Sequence, residues 1–168
     1  AQAQLRSRNT LLGAMLLRQG RVDAMLCGTV GPFHAHLDDL RHTIGLKPGC
    51  TTFAAMQMLM LPGRQLFICD THVNLDPTAQ QIADIALLAA QQVRRFGVMP
   101  SVALLSHSSF GSSHAPAAAK MREALALVRE RDAQLAVDGE MRGDAALSRS
   151  VLEHEFPESD LGTEANVL

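Results

Sequence analysis

The feature that most restricts the fold is Val102–Leu105, a continuous apolar run too short for a helix and lacking polar alternation. Such a run reads as a strand buried on both faces, which needs helices above and below it. The flanking sequence supplies them. Upstream, Asp76 reads as an N-cap and Pro77 fits the first helical position. Ile82, Ile85, Leu88, Ala89 and Val93 then form one apolar face, Arg94 and Arg95 favour a helix C-terminus, and Gly97 ends the helix. Downstream, the Ser/Gly-rich loop Ser106–His114 leads to Pro116 and a helix through about Arg131. Leu135–Val137 reads as another short strand, Asp144 as the cap of a last helix, and Asn166–Leu168 as the start of a final strand. Strands alternating with helices of this length predict an α/β fold, a mostly parallel sheet with helices on both faces.

The first third of the chain is less regular. Leu5, Leu11, Leu12, Met15 and Leu16 recur at helical spacing up to a stop at Gly20, and Val22–Leu26 reads as a short buried strand. Cys27–Pro32 is turn-rich, and His36–Ile44 predicts a short helix ended by Gly45. Two apolar runs, Thr51–Leu61 and Gln65–Cys69, flank the turn signal Pro62-Gly63 and read as a hairpin, with helix the competing assignment for the Met-rich first run. That run is expected in the core or at an interface.

A chain of 168 residues, 47% hydrophobic, can fill one well-packed interior. Fifteen basic against seventeen acidic residues leave a net charge of −2, and neither a basic stripe nor an aromatic platform suggests a nucleic-acid partner. No apolar run reaches the roughly 18 residues a membrane span requires. Cys27, Cys50 and Cys69 lie far apart, which suits a reduced cytoplasm, argues against structural zinc, and predicts three small buried hydrophobes. The opening AQAQLRSRNT already lies in a helical pattern, and Ala165–Leu168 only begins a strand. Both ends therefore read as cut, and the chain as a piece of a larger polypeptide.

Ser106–Ser113, at the carboxyl edge of a parallel sheet, is where a ligand is expected. Small residues let N–H groups converge, and the helix starting at Pro116 adds its dipole, so an anion is one candidate ligand; turn formation is the other explanation. Ser106, Ser108 and Gly111 are the candidates on this side of the cleft, with Asp70 and Asn74 opposite and Asn166 as a further one. Asp70 and His72 also suit a turn. His34, His36 and His42 lack the further ligands a metal site needs and read as surface or pocket histidines. Gly28-Thr29-Val30-Gly31 lacks the spacing of a nucleotide fingerprint.

The motif order resembles the phosphate acetyltransferase/butyryltransferase family. The matching stretches are Val22–Gly28, Asp70–Asn74 with Pro77–Ala79, Ala103–Ser108, Lys120–Ala124, Asp138–Glu140 with Asp144–Ala146, and Leu161-Gly162 with Ala165–Leu168. More narrowly, Met25–Gly28, His107–Ser113 and Val137–Leu147 resemble the version fused to bacterial NADP-dependent malic enzymes. The resemblance implies one lobe of a two-lobed acyltransferase-like domain, with acyl-CoA in the cleft between lobes. It also implies malate-oxidising domains upstream, which would use NADP and a divalent metal, and no cofactor in this segment.

Active members of that family follow the glycine matching Gly28 with a Ser/Thr-rich stretch ending in a phosphate-binding arginine. Here Pro32 and Phe33 replace hydroxyls, His36 replaces a threonine, and Asp38 falls where the arginine belongs. A carboxylate repels phosphate, and charge-assisted hydrogen bonds worth about 1.5–3 kcal/mol each are lost. The family's catalytic Ser-Arg and Asp follow the strand begun by Asn166. The resemblance thus implies a cytoplasmic regulatory module that senses acetyl-CoA and helps assemble a homo-oligomer. The alternatives are a working phosphate acetyltransferase and a purely structural dimerisation lobe.

Overall fold

The computed structural model describes residues 8–168 and divides the chain into two compact units, residues 1–50 and 51–168. In the first unit, helix α1 (Asn9–Arg18) and helix α2 (Phe33–Thr43) are joined by an irregular segment in which Gly28 and Gly31 take positive φ. Leu5, expected in the first helix, lies outside the described residues. Val22–Leu26 is not a strand: it has no ladder partner among the described residues, and Val22 and Leu26 are exposed. Met25 instead lies against α1, where a Cβ on Gly13 would come within 2.4 Å of its Sδ. Helix α2 starts three residues before the predicted His36 because Pro32, in extended conformation, occupies the N-cap. Arg8 pairs with buried Asp39, and Arg18 donates to the Thr43 carbonyl at 2.8 Å, which ties the two helices together.

The second unit opens on a hairpin. Strands β1 (Met56–Leu61) and β2 (Arg64–Cys69) pair antiparallel with Leu61 opposite Arg64, so Pro62-Gly63 is the whole turn. Pro62 presets φ and Gly63 takes φ +77°, the combination a type II turn requires. The Met-rich run is therefore a strand, not a helix. It is also not core: Met58, Leu59, Met60 and Leu61 are all exposed.

Helix α3 (Ala79–Arg95) follows, then β3 (Ser101–Leu105), α4 (Pro116–Arg131), β4 (Ala136–Met141), and the short helices α5 (Gly143–Leu147) and α6 (Arg149–Glu155). The strongly patterned helix forms, but its cap is Thr78, not Asp76. The Thr78 hydroxyl accepts from the Gln81 N–H, and the Gln81 side chain accepts from the Thr78 N–H, a reciprocal capping box. Asp76 instead pairs with Lys120 of α4. Asp144 likewise does not cap. It lies inside the first turn of α5 and pairs with Arg142, the residue at the cap position.

Strands β3 and β4 pair in parallel. The terminal segment joins them to the hairpin: Val167 bridges Phe67 and Val102, both in parallel sense. Its ladder includes Phe67 N–H to the Asn166 carbonyl at 2.8 Å and Ala103 N–H to the Val167 carbonyl at 2.9 Å. The α/β architecture is the predicted one, with the hairpin as its antiparallel edge. Side chains alternate across β3. Val102 and Leu104 enter a core with Phe67, Val93 and Val128, while Ala103 enters a second core with Met141, Ala146 and Leu152. Burying each large aliphatic or aromatic side chain contributes on the order of 2 kcal/mol. No helix among the described residues is long and apolar enough to cross a membrane.

Candidate functional site

Where β3 and β4 end, their pairing slips. Leu104 faces Gly139, but Leu105 faces Met141, so Glu140 is an extra residue that opposes nothing. Gly139 makes this possible. Its φ is +143°, and a Cβ there would lie 2.6 Å from the Leu104 carbonyl oxygen. The bulge turns Glu140 inward, where it is 0% exposed.

Glu140 is the hub of the Ser106–His114 loop. Its Oε1 accepts from the Ser108 hydroxyl at 3.1 Å, the Gly111 N–H at 3.1 Å and the Arg122 guanidinium at 2.8 Å. Its backbone carbonyl accepts the Phe110 N–H at 2.7 Å, with Phe110 at φ +48° and its ring against Phe156. Arg122 also donates to the Ser113 carbonyl at 3.2 Å. Burial pushes the Glu140 carboxyl up, but the Arg122, Gly111 and Ser108 donors outweigh it and hold the group below its ordinary range. Glu140 Oε2 has no hydrogen-bond partner among the described residues.

This arrangement changes the meaning of the loop. The Ser109, Phe110, Gly111 and Ser112 N–H groups, expected to converge on an external anion, all donate within the protein. Ser106 uses its N–H to extend the strand pairing to the Met141 carbonyl at 2.9 Å. Ser108, buried, lines a cavity of about 440 Å³ together with Arg142, Asp144, Glu155 and Phe156. With one cation against two carboxylates, that cavity does not favour an anion.

Asp70 and Asn74 lie on the neighbouring loop at the same sheet edge. Asp70 Oδ1 accepts the N–H groups of Ala55 at 2.9 Å, Val73 at 3.2 Å and His72 at 3.3 Å, and Oδ2 accepts the Asn74 N–H at 2.7 Å. The Asn74 amide donates to Asp70 at 2.5 Å and to the Phe53 carbonyl at 2.7 Å. Burial raises the Asp70 pKa, and these donors reverse the effect, leaving it lowered. Both residues therefore organise their own loop. Asp70 also borders an apolar slot of about 190 Å³ with Ile85, Leu105, Met121 and Leu168. The structure thus gives Ser108 and Asp70 separate cavities.

Asn166 belongs elsewhere. Its Oδ1 accepts the Ser101 N–H and its Nδ2 donates to the Met99 carbonyl, each at 2.8 Å. That clamps the amino end of β3, five residues or about 16 Å from Ser106. Cys69, half-buried beside the slot, has its thiol pushed up to about 12 by burial, with Asp70 adding to the effect. Cys27 is exposed, contrary to the buried role expected of it.

In the first unit, Pro32 and Phe33 open α2, Asp38 is exposed, and His36 Nδ1 meets the Thr10 hydroxyl at 2.7 Å. His42 Nδ1 bonds the Asp38 carbonyl at 2.7 Å, and His34 is exposed. Sequence reasoning missed Glu140 and Arg122 as the residues that hold the Ser106–His114 loop. The available signal was two carboxylates, Asp138 and Glu140, inside an otherwise strand-like segment, where a buried charge requires a partner.

The family described as phosphate acetyl/butaryl transferase matches residues 1–168. The chain belongs to this family. The Escherichia coli (strain K12) NADP-dependent malic enzyme is 49% identical over 168 residues, covering 100% of this chain and 22% of that protein. A phosphate acetyltransferase of Deinococcus radiodurans is 35% identical over 167 residues, covering 99% of the chain and 24% of that protein. Among solved structures, a phosphotransacetylase from Streptococcus pyogenes superposes with a TM-score of 0.86 at 31% identity, covering 94% of this chain and 49% of that one. The family chain described here thus spans about a fifth of the length of its malic enzyme relatives.

Proposed function

We propose that this chain is a regulatory module of an NADP-dependent malic enzyme that senses acetyl-CoA, or a related acyl-CoA, and helps assemble its homo-oligomer. The observation that carries the reading is Asp38, an exposed carboxylate on α2 where the resemblance places a phosphate-clamping arginine. Pro32 at the N-cap offers no N–H in place of the lost hydroxyls. A site that recognises acyl-CoA without holding phosphate is a sensor, not a transferase.

The apolar slot beside Asp70, about 190 Å³, supports the acyl half of this reading. It exceeds the roughly 150 Å³ of an engineered apolar cavity that stays dry and binds benzene, so a short acyl group fits. Regulation requires that the effector bind one state of the oligomer more tightly than another. In this reading the segment carries no cofactor, while NADP and a divalent metal serve upstream malate-oxidising domains in the cytoplasm.

Calorimetry and thermal shift with acetyl-CoA on the complete polypeptide test the proposal. Saturable heat and a raised midpoint are expected; the absence of both overturns it. The phosphate acetyltransferase relatives favour a second reading, acetyl transfer from acetyl phosphate to the CoA thiol with release of phosphate. Thioester formation from those two substrates would establish it. The exposed β1 favours a third, a structural dimerisation lobe, expected to show no ligand response in either assay.

A further inference from the structure

We infer that the Ser106–Ser113 loop is a carboxylate receptor occupied from within, with Glu140 as the seated anion and positioning residue on which the loop's conformation depends. One oxygen of Glu140 collects a hydroxyl, a main-chain N–H and a guanidinium, the donor set an external carboxylate would recruit. Those donors come from Ser108, Gly111 and Arg122, and none of them is adjacent to Glu140 in sequence.

The tether is built for delivery. Gly139 admits the close pass beside Leu104, and the bulge swings the Glu140 side chain off the strand ladder into the loop. The same residue also fixes Phe110 through its carbonyl, and Arg122 extends the hold to Ser113. Residues 108, 111 and 113 therefore depend on one side chain and its partner, and residue 110 on the main chain of the same bulge. The second carboxylate oxygen has no protein partner among the described residues, so the seat grips a single oxygen. A free carboxylate as small as formate satisfies the same contacts once the tethered group is removed.

The seat itself is tested without effector. In the complete polypeptide, Glu140→Ala should lower the thermal midpoint and speed amide exchange of residues 108–113 by about tenfold or more. Sodium formate should restore both, saturably. At ten times its dissociation constant the folded-to-unfolded ratio rises about elevenfold. Sodium chloride at equal ionic strength should not restore them, and the wild-type protein should not respond to formate.

Rescue by formate no better than by chloride, or unchanged loop exchange in E140A, overturns the inference. If E140A does not fold, Glu140→Gln carries the test. Its carbonyl still accepts from Ser108 and Gly111, but it has no charge for Arg122. Loop amides should then exchange several-fold faster while residues 70–78 stay protected, and unaltered loop protection overturns the inference. Acetyl-CoA calorimetry on the wild type keeps the two claims apart. A lack of heat there removes the proposed function and leaves the formate result to decide the seat.

Discussion

Two strand-to-helix loops share one edge of the sheet, and a single carboxylate organises each, but the carboxylates come from different distances. Asp70 holds residues 72, 73 and 74, its own next turn. Glu140 holds Ser108 and Gly111 from 32 and 29 residues away. The first loop is a local structure that needs only the end of β2 and a contact to Ala55. The second exists only when β3 and β4 pair in the register that produces the bulge. A locally held loop tolerates errors elsewhere in the sheet, whereas a remotely held one reports on them.

The largest expected effect breaks the remote loop at its source. Gly139→Ala forces a Cβ against the Leu104 carbonyl at a φ that L-residues rarely adopt. It should cost about 3 kcal/mol in a denaturant melt and unfasten residues 108–113 while sparing 70–74. Equal loosening of both loops would erase the distinction.

Next is Glu140→Gln, which removes a charged acceptor from three donors and should cost about 2 kcal/mol. Its pH signature sharpens the point. Glu140 and Asp70 are both held below their ordinary values of 4.5 and 3.8. A lowered carboxyl stabilises the fold fully above its unfolded pKa and loses that contribution as pH falls through the folded pKa. Stability from these groups should therefore be flat near neutrality and fall below about pH 4.5. In E140Q the fall should be shallower, as read from acid unfolding curves.

Asp70→Asn should cost less, about 1–2 kcal/mol, because an amide oxygen still accepts some of the N–H groups. Its exchange effect should stay within residues 70–74. The smallest effect is Thr78→Ala, which removes half a capping box on α3. About 1 kcal/mol is expected, with neither loop disturbed.

The same contrast explains what could be read from the residues alone. The β3 run, the α3 face, the Pro116 start of α4 and the Pro62-Gly63 turn follow from local pattern, and the structure has them. The caps failed by small margins. Thr78 with Gln81 offers two reciprocal bonds where Asp76 offers one, so the helix starts later. Val22–Leu26 has the composition of a strand, but a strand also needs a ladder, and none is present among the described residues. Asp70 was legible as a turn former because its partners are its sequence neighbours. Glu140 was not, because a bulge is a property of two strands, and only their pairing shows which side chain is turned inward.

The four residues from Ala165 to Leu168 have a consequence for biosynthesis. Asn166, Val167 and Leu168 bridge the hairpin side of the sheet to the β3–β4 side, and Cys69 meets Leu168 across 99 positions of sequence. While the chain is emerging from the ribosome, the hairpin and the later strand pair must wait as separate halves. They close into one sheet only after the segment that stitches them has cleared the exit tunnel. During that interval β2 is paired with β1 on one edge only and Phe67 lacks its second neighbour, the moment at which a chaperone has most to hold.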